Sequence, residues 1–289
     1  MNDSQGSDYC LVVAHRGARL LAPENTIESI AAALKFGIWG VEFDVDLSQD
    51  LAPIVIHQET LEPDEIGTKL KLVAALPERA WSLEWSSQRI KSLDAGTWFD
   101  AKFDKCRVPT LEQVFALDWG TKFCVMELKD PTYWSSKPDL KWPQKMVAAV
   151  HDQVKSLLSH GGKLLVLSFN PLLLSAFAEK FPQVPRNLAL WTNSIGQREK
   201  VLRQAQELGC HSVSVADFMV EDDKSWCSAI ENYGMRPGVY EMSDQSDPLL
   251  KLKSIEKRWQ ALIESGVKLI TTDYPVELAN FIKKRVPAS

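Results

Sequence analysis

The chain has 289 residues, 45% hydrophobic and 25% charged, with a formal net charge of −5, an ordinary globular balance whose length fits one large domain, as α/β barrels commonly are, or two small ones. Its basic residues are scattered, which excludes the basic stripe of a nucleic-acid binder, and no run approaches the ~18 apolar residues of a membrane span, which excludes stable membrane insertion. The polar, acidic start "MNDSQGSDYC" lacks the parts of a secretion signal, and the five cysteines (Cys10, Cys106, Cys124, Cys210, Cys227) lie far apart, so reduced thiols and a cytoplasmic location are expected.

In chain order, apolar runs predict strands over Tyr9–Ala14, Gly40–Val45, Pro53–His57, Phe123–Leu128, Leu164–Phe169, Leu188–Trp191, Val213–Val215, Gly238–Tyr240 and Leu269–Thr272. Many are nearly continuous rather than alternating, as in strands buried on both faces of a parallel sheet. Helices are predicted between them. Asn25-Thr26-Ile27-Glu28 resembles a capping box ahead of Ile27, Ile30, Ala31 and Leu34 at helical spacing. Further helices are predicted over Thr110–Leu117, Trp142–Leu158, Pro171–Lys180, Ile195–Leu208, Ser225–Tyr233 and Ile255–Ser265, and Lys283-Lys284-Arg285 suits a helix C-terminus facing water.

Repeated strand–helix units of this size predict a (β/α)8 TIM-type barrel, one domain over residues 8–285. Nine strand candidates compete for eight staves. "VEFDVDLSQDLAPIVIH" leaves no room for a helix between its two runs, so one of them is a hairpin arm or an irregular stave. Residues 62–106 fit no strand–helix unit and read as a subdomain inserted after the third strand. Its Trp81, Trp85 and Trp98 are the only candidates for an exposed apolar patch that could meet a membrane, and packing is their expected fate.

The C-terminal ends of barrel strands share one mouth, and the polar residues there carry the chemistry. They are His15 and Arg16, Glu42 and Asp44, His57, Glu127 and Lys129, Asn170, Trp191 and Asp273. Residues i and i+2 of a strand point to one face, so Glu42 joins Asp44 and Glu127 joins Lys129. Three converging carboxylates repel one another unless a cation sits among them, and hard oxygen ligands suit one divalent ion, Mg²⁺ or Ca²⁺. Arg16 and Lys129 beside such an ion suit a phosphate. His15 and His57 can exchange protons near neutral pH. Trp191, at a strand end, is placed to line a pocket. Together these groups read as phosphoryl-transfer chemistry on an ester. Against this stands a plainer reading, in which Glu42 and Asp44 only pair with Arg16 and Lys129 at the barrel mouth and Glu127–Lys129 is an ordinary strand-end ion pair. His151, His160 and His211 are expected to be structural or exposed.

The segments "AHRGA" with "PENTIESI", "GVEFDVDLSQDLAPIVIHQETL", "SLDAGTWF" with "VPTLEQV", "MELK", "LSFNP" and "GVKLITTDYP" run from residue 14 to 275. Through them the chain resembles the glycerophosphodiester phosphodiesterases, within the phosphatidylinositol-phospholipase-C-like barrel superfamily. The resemblance implies a metal-dependent hydrolase that converts glycerophosphodiesters to glycerol 3-phosphate and an alcohol. It implies His15 and His57 as the acid/base pair, Glu42, Asp44 and Glu127 as metal ligands, and Arg16 and Lys129 as phosphate contacts; Asn170 and Trp191 join the substrate-side set. The partner is then a small-molecule phosphodiester, with no nucleic acid, and the chain a monomer or homodimer. Alternatives are a lysophospholipid or sugar-phosphate diester as substrate, or a non-catalytic phosphodiester binder. Two departures from the family pattern stand out. Gln58 follows the second histidine where an aspartate is usual, and the late strand offers Tyr240 and Glu241 where a Trp-Thr pair is usual.

Overall fold

The structure, a computed structural model, describes residues 10–57, 61–72, 81–133, 135–191, 196–242 and 248–285. Among these residues the strands in chain order are β1 (Leu11–Ala14), β2 (Gly40–Leu47), β3 (Pro53–Val55), β4 (Leu61–Pro63), β5 (Leu70–Leu72), β6 (Phe123–Leu128), β7 (Lys163–Ser168), β8 (Arg186–Leu190), β9 (Ser212–Ala216), β10 (Arg236–Tyr240) and β11 (Leu269–Thr272). Eight of them, β1, β2 and β6 to β11, pair in parallel, and β1 pairs with both β2 and β11, so the sheet closes into a barrel. This is the expected TIM-type barrel.

The surplus strand candidate resolves as a hairpin arm. β3 runs antiparallel to β2, with Val45 opposite Val55 and Leu47 opposite Pro53. Pro53 has no N–H to give a ladder, which suits the first residue of an edge strand. The segment expected as an insertion therefore follows the third strand of the chain but separates the second and third staves of the barrel. It carries the β4–β5 hairpin and packs its own apolar cluster of Ile54, Ile56, Leu61, Leu70, Ile90 and Leu93. Trp81 is buried there and donates from Nε1 to Leu61 O at 2.8 Å, while Trp85 and Trp98 pack half-buried against the same cluster.

Alternation along the staves divides their side chains. On β2 the odd residues Val41, Phe43 and Val45 join the main core between barrel and helices, and Glu42 and Asp44 turn the other way. Lower in the barrel Leu11, Val13, Val125, Leu165 and Leu269 make a separate apolar layer. That layer underlies the mouth and excludes water from below the carboxylates.

The first helix spans Ile27–Ala33, and its N-cap is Thr26, whose hydroxyl accepts from Ser29 N at 3.2 Å. Asn25, expected to open a capping box, instead takes a left-handed conformation (φ 56°) and uses its side chain elsewhere. The helix Asp217–Asp222 was not expected, Pro275–Lys283 is the helix whose C-terminus was expected at Lys283-Lys284-Arg285, and the long one before β11 starts earlier, at Pro248. No helix among the described residues is long and apolar enough to cross a membrane. All five cysteines are free thiols.

Candidate active site

The acidic centre is built by strand register. Asp44 on β2 lies directly across from Glu127 on β6, and Glu42 stands one i/i+2 step below Asp44. Carboxylate oxygens of Glu42, Asp44 and Glu127 come within 4.8 Å of one another, and the first two residues are buried. Removal from water and mutual repulsion push Glu42 well above the usual carboxylate range. Burial also pushes Glu127 up to about 7, against the opposing charge of Lys129. Burial works to raise Asp44 too, but Lys129, His57 and Arg16 outweigh it and hold Asp44 well below its ordinary value. Lys129 Nζ lies 2.8 Å from Asp44 Oδ1 and also pairs with Glu127.

The loop after β1 is shaped around this centre. Arg16 adopts φ 53° and Gly17 φ 84°, both left-handed. A Cβ on Gly17 would lie 2.4 Å from Ser29 Oγ and 2.7 Å from the Ser29 carbonyl carbon, so only glycine fits under the first helix. This turn aims Arg16 N–H at Glu42 Oε2 (2.8 Å) and sends the guanidinium to Glu24 Oε1 (2.7 Å), with Nε 3.3 Å from Asp44 Oδ2. Asn25 ties the same loop to β2 from both atoms of its amide. Its Nδ2 donates to Asp44 Oδ2 at 2.8 Å, and its Oδ1 accepts from Asp44 N at 3.1 Å.

His15 is fixed by the end of β11. Its Nδ1 lies 2.8 Å from Asp273 Oδ1, and its backbone N donates to Thr272 O at 3.0 Å. Arg19 spans the other oxygen of Asp273 (3.3 Å) and Glu24 (2.7 Å). Burial and the Arg16 charge lower the His15 pKa, and Asp273 only partly opposes them. Burial works to raise Asp273, but His15, Arg19 and Arg16 hold it far below its ordinary value. His57 is buried beside Asp44, since Ile56 N donates to Asp44 O at 3.0 Å. Burial and the cations Arg16 and Lys129 push its pKa well below the ordinary value.

The remaining expected residues divide. Trp191 is 37% exposed at the mouth, with Tyr240 parallel to it at a centroid distance of 6.4 Å and Phe169 edge-on to both. Tyr240 donates to Leu190 O at 2.8 Å, so an aromatic wall stands across from the carboxylates. Asn170 serves the scaffold on the geometry shown. Its Oδ1 caps the following helix at Leu172 N (2.9 Å), and its Nδ2 donates to Asp130 at 2.7 Å. Gln58 lies outside the described residues. His151 faces solvent beside Asp152, and His160 bonds Ser156 O at its helix end, both away from the mouth.

Glu24, Asn25, Arg19 and the partnership of Asp273 with His15 were not singled out from sequence. Glu24 and Asn25 lie in the quoted "PENT" stretch, but no spacing rule connects them to β2 or to Arg16. The plainer sequence reading is also present in part: Arg16 and Lys129 do pair with these carboxylates.

The residues 15–277 match the model of the glycerophosphoryl diester phosphodiesterase family. A glycerophosphodiester phosphodiesterase of Caldanaerobacter subterraneus is 26% identical over 95% of this chain and 98% of its own. One from Bacillus subtilis is 24% identical over 96% of this chain and 87% of its own. Among solved structures, the Oleispira antarctica phosphodiesterase in complex with the product sn-glycerol-3-phosphate is similar in fold, with a TM-score of 0.73 at 23% identity, over 95% of this chain and 97% of that one. The barrel, the acidic mouth and a family match over nearly the whole length agree, and the chain belongs to the glycerophosphoryl diester phosphodiesterase family of phosphodiester hydrolases.

Proposed function

We propose that the chain hydrolyses glycerophosphodiesters to glycerol 3-phosphate and an alcohol, with His15 and His57 as acid and base and with one divalent ion held by Glu42, Asp44 and Glu127. The reading treats residues 8–285 as one catalytic unit. The observation that carries it is Glu42 Oε1, a buried carboxylate oxygen with no hydrogen-bond partner, at the centre of three converging carboxylates. A full ion-pair network would have satisfied that oxygen; a hard cation suits it. Mg²⁺ or Ca²⁺ held there would supply positive charge to the phosphoryl oxygens of the substrate.

The protein's own groups divide the remaining work. Arg16 and Lys129 stand beside the carboxylates as the cations available to a phosphate. His57, kept neutral by burial and by those cations, is suited to take the proton of the nucleophile, either water or a neighbouring substrate hydroxyl. His15 has its Nδ1 held by Asp273, which fixes the ring and partly offsets the lowering of its pKa, so Nε2 is the nitrogen left to pass a proton to the departing alkoxide. The wall of Trp191, Tyr240 and Phe169 limits the pocket on the side of β8 and β10.

The test is turnover of glycerophosphocholine and glycerophosphoethanolamine with EDTA, then with Mg²⁺ or Ca²⁺ restored. Release of glycerol 3-phosphate should return with metal, and His15→Ala and His57→Ala should each lower kcat by about 10²–10⁴-fold with unchanged circular dichroism. Near-normal turnover in either variant removes that histidine from the mechanism.

A further inference from the structure

The last stave, β11, is held at its C-terminal end by a group that takes no part in the proposed chemistry. Glu241 stands one residue beyond β10, where its backbone N–H donates to Thr271 O at 3.0 Å. Its side chain points to the same side as Val239, into the layer between barrel and helices, and the residue is buried. There Trp259 Nε1 donates to Oε1 at 2.5 Å, and the Thr272 hydroxyl donates to Oε2. A carboxylate in such a layer is costly. Asp217 and Asp273 oppose it with like charge, and Arg258, the cation on that side, pairs with Asp217 at 3.1 Å and with Glu221. Packing alone would be served by an uncharged side chain. Position 241 is also one of those at which this chain departs from the Trp-Thr pair usual in the family.

The Thr272 contact leads to the site. Thr272 is fully buried at the end of β11, with Ala14 of β1 opposite it in register. Its carbonyl accepts from His15 N at 3.0 Å. Its Oγ1 accepts from Tyr274 N, two residues on, at 3.0 Å, which closes a turn around Asp273. Asp273 in turn holds His15 Nδ1 at 2.8 Å. A threonine hydroxyl has one hydrogen to place, and its direction decides which lone pair is offered to Tyr274 N. With Glu241 as acceptor the hydrogen points to β10 and a lone pair is left for the turn. One side chain beyond β10 thereby orients the two residues that hold the backbone and the ring of His15. Arg19 ties Asp273 separately, at 3.3 Å, so what Glu241 sets is the turn.

We infer that Glu241 is a positioning residue for His15, acting through the Thr272 hydroxyl and the turn around Asp273. The inference rests on His15 taking part in the hydrolysis proposed above. It gives a reason for a buried charge that packing does not need.

The full chain, loaded with Mg²⁺ and ¹⁵N-labelled in its histidines, is compared with Glu241→Gln, Thr272→Val and Thr272→Ser at about pH 8, where histidine is neutral. Burial pushes the Glu241 pKa up to about 7, so the wild-type group is ionised there. Glutamine keeps the acceptor for Trp259 but turns an amide NH₂ toward Thr272. Valine removes the hydroxyl at nearly constant shape, and serine keeps it. His15 of the wild type should show the ring shifts of a single tautomer with its hydrogen on Nδ1, the nitrogen that faces Asp273. In Glu241→Gln and Thr272→Val both tautomers should appear, and kcat on glycerophosphocholine should fall about ten- to a hundredfold with KM within about threefold. The double variant Glu241→Gln/Thr272→Val should lose no more than either single one, and Thr272→Ser should behave as wild type. Wild-type ring shifts in both Glu241→Gln and Thr272→Val, whatever their melting temperatures, would overturn the inference. So would additive losses in the double variant, or a Thr272→Ser that behaves like Thr272→Val. Altered ring shifts with unchanged kcat, or near-normal turnover in His15→Ala, would sustain the positioning and remove His15 from the hydrolysis reading instead.

Discussion

Replacing Glu241 by glutamine should alter how folding stability depends on pH. Glu241 is buried at the end of β10, and its carboxylate accepts from Trp259 Nε1 at 2.5 Å and from the Thr272 hydroxyl. Loss of water pushes its pKa from the ordinary 4.5 to about 7, despite those two hydrogen bonds. A carboxyl that holds its proton more tightly in the fold contributes stability that is fully present below about pH 4.5 and is lost as pH rises through 7. That rise corresponds to about 3 kcal/mol at order-of-magnitude precision. Glutamine keeps the shape and an acceptor for Trp259 but cannot ionise. Urea unfolding of both proteins from about pH 4 to 8 measures the difference directly. The stability of wild type relative to the variant should fall by about 3 kcal/mol across that range. A flat difference would refute the reasoning, because it would mean that Glu241 titrates as if in water. The effect reaches the site through Thr272, whose hydroxyl accepts from Tyr274 N at 3.0 Å and whose carbonyl accepts from His15 N at 3.0 Å.

Arg19→Met removes the cation shared by Asp273 and Glu24, and should lower kcat/KM roughly ten- to a hundredfold. The Arg19 charge also lowers the His15 pKa, so the limb of the pH–rate profile that His15 governs should move to higher pH; a fall in thermal stability with an unmoved limb would reduce Arg19 to a structural part. Asn25→Ala cuts both ties to Asp44 and should weaken divalent-metal affinity by about 10–100-fold, read by calorimetric titration against unchanged turnover at saturating metal. Metal binding should strengthen as pH rises through about 7, because Glu127 and Glu42 must give up protons to it. Calorimetry in two buffers of different ionisation heat should show that release, and equal affinity at pH 6 and 8 would contradict it.

The barrel was legible because burial on both faces writes a strand as a continuous apolar run, and the i/i+2 pairs Glu42/Asp44 and Glu127/Lys129 followed from the same geometry. Strand direction was only half legible: the short link before Pro53–Val55 allowed a hairpin arm, but a run that short does not itself distinguish an antiparallel arm from an irregular stave. Glu24, Asn25 and Arg19 escaped because their contacts depend on a loop with three left-handed residues, Arg16, Gly17 and Asn25, whose path no periodicity encodes. Asn170 was legible as a strand-end residue, but a strand end before Pro171 is also a helix start, and the cap took its Oδ1 while Asp130 took its Nδ2. The helix Asp217–Asp222 begins directly after β9 with no loop to announce it.

The charges at the mouth bear on the two readings of these residues. Glu24, Glu42, Asp44, Glu127 and Asp273 face three permanent cations, Arg16, Arg19 and Lys129. Both histidines are held toward neutrality, so two negative charges remain in excess. The pairing shows where that excess falls. Glu24 has both arginines, Asp273 has Arg19 and His15, and Asp44 has Lys129, Arg16 and Asn25. All three are held below their ordinary pKa. Glu127 only shares Lys129 with Asp44, and Glu42 has one backbone N–H and a bare oxygen. These two are the carboxylates pushed upward. An ion-pair network therefore accounts for Asp44 but leaves Glu42 and Glu127 each short of one positive charge. Two protons can supply it at low pH; at neutral pH a single divalent ion between them, as proposed, would do so without raising either carboxyl.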